Sequence, residues 1–186
     1  MKKIITKFNY QALQIGDMVE FCSSDFIAMV IRCFSSGFKN WNNYTVPTHT
    51  AMVVQVEGQF LVAEMEAEGL VVRSLEQYNK KNEPCWPKSV KRNTVYSDAT
   101  KRAALNARVF DDLRHTLDYD FKGLLKFVID EVKDDKSKAY CSQYFYRQTI
   151  IDGVAYPPSF ADKVSPYDLD MQTSWLVVPN WGTQSS

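Results

Sequence analysis

The chain has 186 residues, 45% of them hydrophobic and 24% charged, with 22 basic and 22 acidic side chains and a formal net charge of zero. This composition excludes a mainly disordered chain, and the charge balance excludes a general electrostatic attraction to nucleic acid or to an anionic membrane. Length and the lack of a repeat suit one domain over residues 1–186, and the longest apolar runs fall far short of the roughly 20 residues of a spanning helix. The basic start Met1-Lys2-Lys3 is not followed by the apolar stretch of a signal peptide, so a cytoplasmic location is expected.

Gln14-Ile15-Gly16-Asp17 predicts a turn, and residues 18–22 a short strand. Ser23-Ser24-Asp25 supplies acceptors for a helix start, and Ile27, Val30, Ile31 and Phe34 follow helical spacing up to Gly37. The aromatic and amide-rich stretch 38–47 reads as a loop. Three strands follow: 49–56, then 60–65 after the turn Glu57-Gly58-Gln59, then 70–73 after Gly69. Residues 74–87 read as an irregular excursion and 93–96 as a strand. Ser97-Asp98 then caps a long helix to about 117.

Asp118-Tyr119-Asp120 breaks that helix, a shorter apolar helix is expected over 121–132, and Lys133-Asp134-Asp135-Lys136 reads as a solvated loop. A further helix is predicted from Tyr140-Cys141-Ser142 to about Asp152-Gly153. Pro157-Pro158 forces an extended loop, and 174–179 is a last strand. The expected class is α+β, with one antiparallel sheet and helices on one side.

Among Cys22, Cys33, Cys85 and Cys141 there is no Cys-x-x-Cys pair, and His49 and His115 are the two histidines, so a structural zinc site is not expected. Cys141 differs from the other thiols. It stands at a predicted helix start, where unpaired N–H groups and the helix dipole favour a thiolate. His49 opens a strand, a rigid position for a general base. A turn centred near Gly58 pairs residues whose numbers sum to about 116, which sets His49 opposite a residue near 67. Glu64 and Glu66 share one face of the neighbouring strand, and either could reach the imidazole diagonally and fix its tautomer. His115, late in the long helix beside Arg114, reads as a surface cap. The aromatic residues in 38–44, with Trp86 and Tyr156, are candidates for lining a cleft.

The ordered set Gly16-Asp17, Thr48-His49-Thr50-Ala51-Met52-Val53-Val54, Val62-Ala63-Glu64, Gly69-Leu70-Val71, Asp118-Tyr119-Asp120-Phe121 and Tyr140-Cys141-Ser142 resembles the circularly permuted NlpC-type papain-like amidases, the YiiX/YebB-like group, over about residues 13–169. The resemblance implies a permuted papain-like fold with an antiparallel sheet packed against helices. It makes Cys141 the nucleophile, His49 the base and Glu64 the orienting member, with Tyr140 and Ser142 flanking the nucleophile near the oxyanion site. Gln143 stands where the group often has Glu, and Thr116-Leu117-Asp118 lacks its usual glycine. The implied activity is hydrolysis of an amide, such as a cell-wall peptide bond, through a thioester. No metal or organic cofactor is required. Acyl transfer or hydrolysis on a lipid or thioester, as in lecithin:retinol-acyltransferase-like relatives, is the alternative chemistry, and a catalytically silent binding module is the other class.

Overall fold

Six antiparallel strands form the centre of the structure. The computed structural model describes residues 5–36, 43–79, 85–115, 118–119, 138–160 and 163–184. The strands of the main sheet are β2 (Met18–Ser23), β3 (His49–Val56), β4 (Gln59–Glu66), β5 (Gly69–Arg73), β6 (Cys85–Asn93) and β9 (Trp175–Val177), in the spatial order β5-β4-β3-β2-β6-β9. Two smaller pairs accompany it: β1 (Ile5–Phe8) runs antiparallel to β10 (Gly182–Gln184), and β7 (Asp118–Tyr119) parallel to β8 (Lys138–Ala139). Among the described residues the α-helices are α1 (Phe26–Ser36), α2 (Ala99–Arg114), α3 (Cys141–Ile151) and the short α4 (Pro166–Asp170).

The sheet is buried on both faces, and the two cores differ in kind. Met52, Val54, Ala63 and Met65 pack with Leu105 and Val109 of α2, Tyr144 and Phe145 of α3 and Leu169 of α4. The alternate residues Val19, Phe21, Ala51, Val53 and Val62 pack instead with Phe8, Leu13, Leu75, Tyr78 and Trp181, so β1 and irregular segments cover that side. This is the period of two expressed as two layers. The α+β class and the antiparallel sheet with helices match the expectation.

The elements form for local reasons. Asp25 Oδ1 accepts from the Ala28 N–H at 2.7 Å and caps α1; Asp98 caps α2 through the Thr100 N–H at 2.7 Å. Gly16 has φ +88°, and a Cβ there would lie 2.6 Å from Tyr96 Cγ, so only glycine fits the turn into β2. Asp17 next to it is fully buried and held by the Arg92 guanidinium through two contacts of 2.7 Å. Ser165 and Asp168 form a reciprocal capping box at α4.

Some elements differ from the sequence reading. The β6 strand runs from Cys85 to Asn93, not over 93–96, and Thr94–Ser97 is a 3₁₀ turn. Its residues look unlike a strand because Lys91 reaches the buried carboxylate of Glu20 at 3.0 Å, Lys88 that of Asp170 at 2.9 Å, and Arg92 that of Asp17. Pro87 is tolerated because the ladder to β2 is irregular between Glu20 and Phe21. The β1–β10 pair was not expected, and Pro158–Phe160 forms a 3₁₀ turn within the expected extended loop. The helix expected over 121–132 and the loop over 133–136 lie outside the described residues.

Candidate functional site

The hairpin β3–β4 sets the geometry. Glu57 (φ 48°) and Gly58 (φ 82°) are both left-handed, which makes a two-residue turn rather than the three-residue turn read from the sequence. Paired residues therefore sum to 115, as in Met52↔Ala63 and Val56↔Gln59, not 116. His49 comes opposite position 66, and Glu64 lies diagonally from it on the same face. The paired register between the two strands starts at Met52↔Ala63, while β3 pairs with β2 all the way out to His49. Over 49–51 the sheet is parted, and the parting opens a cleft of about 270 Å³ lined by His49, Glu64 and Cys141 among others.

Glu64, not Glu66, touches the imidazole. His49 Nε2–H donates to Glu64 Oε2 at 2.5 Å, with Glu64 1% exposed and the His49 side chain 19% exposed. Glu66 instead receives the Arg73 guanidinium, which also reaches Glu68 Oε1 at 3.0 Å and stands 4.0 Å from Glu64 Oε1. Since Nε2 is occupied, the sulfur of Cys141 meets the ring through its other nitrogen. The His49 ring also lies 5.7 Å from Phe21, which in turn packs on Tyr78 at 4.6 Å, so its orientation is fixed from the side as well.

Cys141 is the first residue of α3, with Tyr140 in extended conformation at the cap. Cys141 is 4% exposed and belongs to the lining of the cleft. Burial pushes the thiol upward, but the charge and hydrogen bond of His49, with the backbone N–H groups of Thr50 and Ser142, outweigh it and hold the thiol below its ordinary value. The converse holds for His49. Burial works against its charged form, yet Cys141 and Glu64 together raise it well above the usual imidazole range. Both displacements favour a thiolate–imidazolium pair.

The other thiols contrast with it. Burial pushes Cys22 up to about 12, a value at which a thiol is inert near neutrality. Cys85 lines the same cleft, away from the start of a helix.

The flanking residues are anchored away from the sulfur. The Tyr140 hydroxyl accepts from the Val164 N–H at 3.2 Å, and Ser142 Oγ donates to the Val164 carbonyl at 2.7 Å. Both side chains are fully buried and clamp the start of α3. His115 is exposed at the end of α2, its Nδ1 on the Asp111 carbonyl at 2.8 Å, outside the cleft lining. Of the aromatic candidates, 38–42 lie outside the described residues and Tyr44 stands under the Arg32 guanidinium at 5.0 Å. Tyr156 stacks on Phe160 at 5.7 Å, and neither it nor Trp86 lines the cleft. Among the described residues the aromatic ring that does so is Tyr78, which the sequence reading placed in an irregular excursion. Arg73 was also missed as part of the site; its signal was a lone cation ending a strand beside three carboxylates.

No protein-family model matches the chain, and no curated protein matches it. Among solved structures, the metalloprotein yiiX from Escherichia coli O157:H7 is similar over 93% of this chain and 96% of its own, with a TM-score of 0.55 at 15% sequence identity. The fold is YiiX-like. The match extends over nearly all of both chains, so sheet and helices are shared together. YiiX is described as a metalloprotein, which raises the question of a metal here. Among the described residues no group of three or more His, Cys, Asp or Glu side chains is placed to hold one. In the cleft His49 lies between Cys141 and Glu64, so the three donors stand in series and do not converge on a common centre. No described helix is long and apolar enough to cross a membrane.

Proposed function

We propose that this chain is a cysteine hydrolase of permuted papain-like (NlpC-type) architecture that cleaves an amide through a thioester. The observation that carries the reading is the series Cys141–His49–Glu64: a thiol held low at a helix start, an imidazole held high beside it, and a buried carboxylate 2.5 Å from the ring's far nitrogen.

The Cys141 thiolate attacks the carbonyl carbon, and the oxyanion that forms is met by backbone N–H groups at the start of α3, where the helix dipole adds to them. Ser142 contributes through its N–H, its hydroxyl being committed to Val164, and Tyr140 serves as a rigid flank. The proton that His49 holds passes from the ring to the departing amine as the C–N bond breaks and the thioester is left on Cys141. A water then attacks the thioester, giving its proton to His49, and the acid leaves with the thiolate regenerated. Glu64 keeps Nε2 protonated and the ring aligned throughout. The cycle needs no cofactor. Substrates of this class include a peptidoglycan peptide or an acyl lipid; transfer to an alcohol or amine in place of water gives the acyltransferase alternative with the same residues.

The deciding experiment is thiol alkylation by iodoacetamide at mildly acidic pH, with the modified peptides identified by mass. Cys141 is expected to react at least about tenfold faster than Cys22, Cys33 or Cys85, and His49→Ala to remove that advantage. Equal reactivity among the four thiols would favour a binding module.

A further inference from the structure

The cleft around Cys141 is one-sided in charge. Its lining includes the carboxylates of Asp25, Glu64, Glu66 and Glu68 and, among the described residues, a single guanidinium, Arg73. With the Cys141 and His49 charges cancelling, three negative charges remain in excess among the described lining residues, in a chain whose total formal charge is zero. Arg73 is divided among Glu64, Glu66 and Glu68, so it neutralises none of them alone. A second observation points into the same space. Glu64 Oε1, the oxygen that His49 does not use, is buried and accepts no hydrogen bond from the described residues, and Arg73 Nε stays 4.0 Å from it. A buried carboxylate oxygen without a donor is costly unless a donor arrives with the ligand.

We infer that the cleft selects acyl compounds carrying a positively charged amine or guanidinium beside the scissile carbonyl, and disfavours anionic ones. The inference rests on the hydrolase reading and adds to it the class of substrate. A cation entering here meets Glu66 and Glu68 at the rim and can donate toward Glu64. The apolar walls, Ala28, Ile31 and Tyr78, leave room for the stem that bears the charge. Crowding is already felt among the cleft's own carboxylates: burial and the neighbouring Glu64 push the Glu66 carboxyl above its ordinary value despite Arg73. An arriving cation relieves that repulsion. Low-dielectric walls around charge of one sign focus its potential on whatever approaches the sulfur.

The test uses the whole chain and three methanethiosulfonates of matched reactivity, one bearing trimethylammonium, one neutral and one bearing sulfonate. In each, the thiolate displaces methanesulfinate and forms a mixed disulfide, read at Cys141 by peptide mass. Rates are normalised to those of free cysteine at the same pH. The cationic reagent is expected to exceed the anionic one by about tenfold or more at low ionic strength, and the ratio to shrink toward one in the Glu66→Gln/Glu68→Gln double variant. Adding salt to about 0.5 M should compress the ratio in the unaltered chain, which gives the same readout without any substitution. A normalised ratio of one or less overturns the charge selectivity, even where fast, His49-dependent modification by the neutral reagent upholds the hydrolase. If the neutral reagent itself modifies Cys141 no faster than free cysteine, and His49→Ala changes nothing, the hydrolase reading falls, and the substrate class with it.

Discussion

Replacing Glu64 by glutamine tests whether the buried carboxylate sets the protonation of the pair or only its position. The amide oxygen can still accept from His49 Nε2–H, so the geometry is kept and the charge removed. A hydrogen bond to a charged partner contributes about 1.5–3 kcal/mol, against about 1 kcal/mol for a neutral one. The equilibrium between thiolate–imidazolium and thiol–imidazole therefore moves toward the neutral pair by about 0.5–2 kcal/mol, or roughly 2–30-fold. The sign is fixed by the carboxylate stabilising the charged ring alone: its loss depletes the thiolate wherever that thiolate depends on the imidazolium. The assay is the rate of Cys141 alkylation by iodoacetamide between about pH 5 and 9, with the near-ultraviolet circular dichroism of the variant as the check on folding. The expected result is a rate near pH 6 reduced by about that factor, and a profile drifting toward that of an ordinary thiol. A folded Glu64→Gln chain that keeps its full rate at pH 6 would refute the assignment, and Glu64 would then be a packing residue.

Cys141→Ser is expected to fold with a thermal midpoint within about 4 °C of the parent, since the sulfur is small and its partners are mostly backbone, and to lose all hydrolysis; a collapse in the melt would mark the thiol as a core group. Gly16→Ala meets both the left-handed backbone and the Tyr96 ring, and about 3 kcal/mol of destabilisation, or roughly 6–12 °C in the melt, is expected; a loss under about 1 kcal/mol would mean the turn is not strained. Glu66 titrates above its ordinary value when folded, so its protonation stabilises the fold fully below the ordinary carboxylate range and that contribution is lost as pH rises through the raised value. Glu66→Gln should accordingly gain on the parent, in melts compared side by side, as pH rises from about 4 to 7; a gap that narrows over this range would contradict the sign.

Much of the frame was legible in the sequence because its signals are local. Asp25 and Asp98 as caps, the β-branched run from His49 and the turn at Gly58 each depend on neighbours a few residues away. The strand Cys85–Asn93 was not legible, because its lysines and arginine are explained only by carboxylates some 70 to 80 residues distant, Glu20, Asp17 and Asp170. The strand pattern alone did not separate Glu64 from Glu66, and only the family resemblance pointed to Glu64. Both lie on one face of β4, and what separates them is Arg73, which draws Glu66 aside and leaves Glu64 to the imidazole. Thr50 was missed as a donor to the sulfur for a related reason: its N–H is available only because β3 and β4 part at that point.

The two-residue bend at Glu57-Gly58 has a reach well past its own position. Lengthening it by a single residue would advance β4 by one step, bringing Ala63 or Met65 around to the imidazole and swinging Glu64 through to the helix side. Descendants of this sequence are therefore free to vary many surface loops but not the length of that one, because the identity of the acid that serves the histidine is written in how tightly a distant hairpin closes.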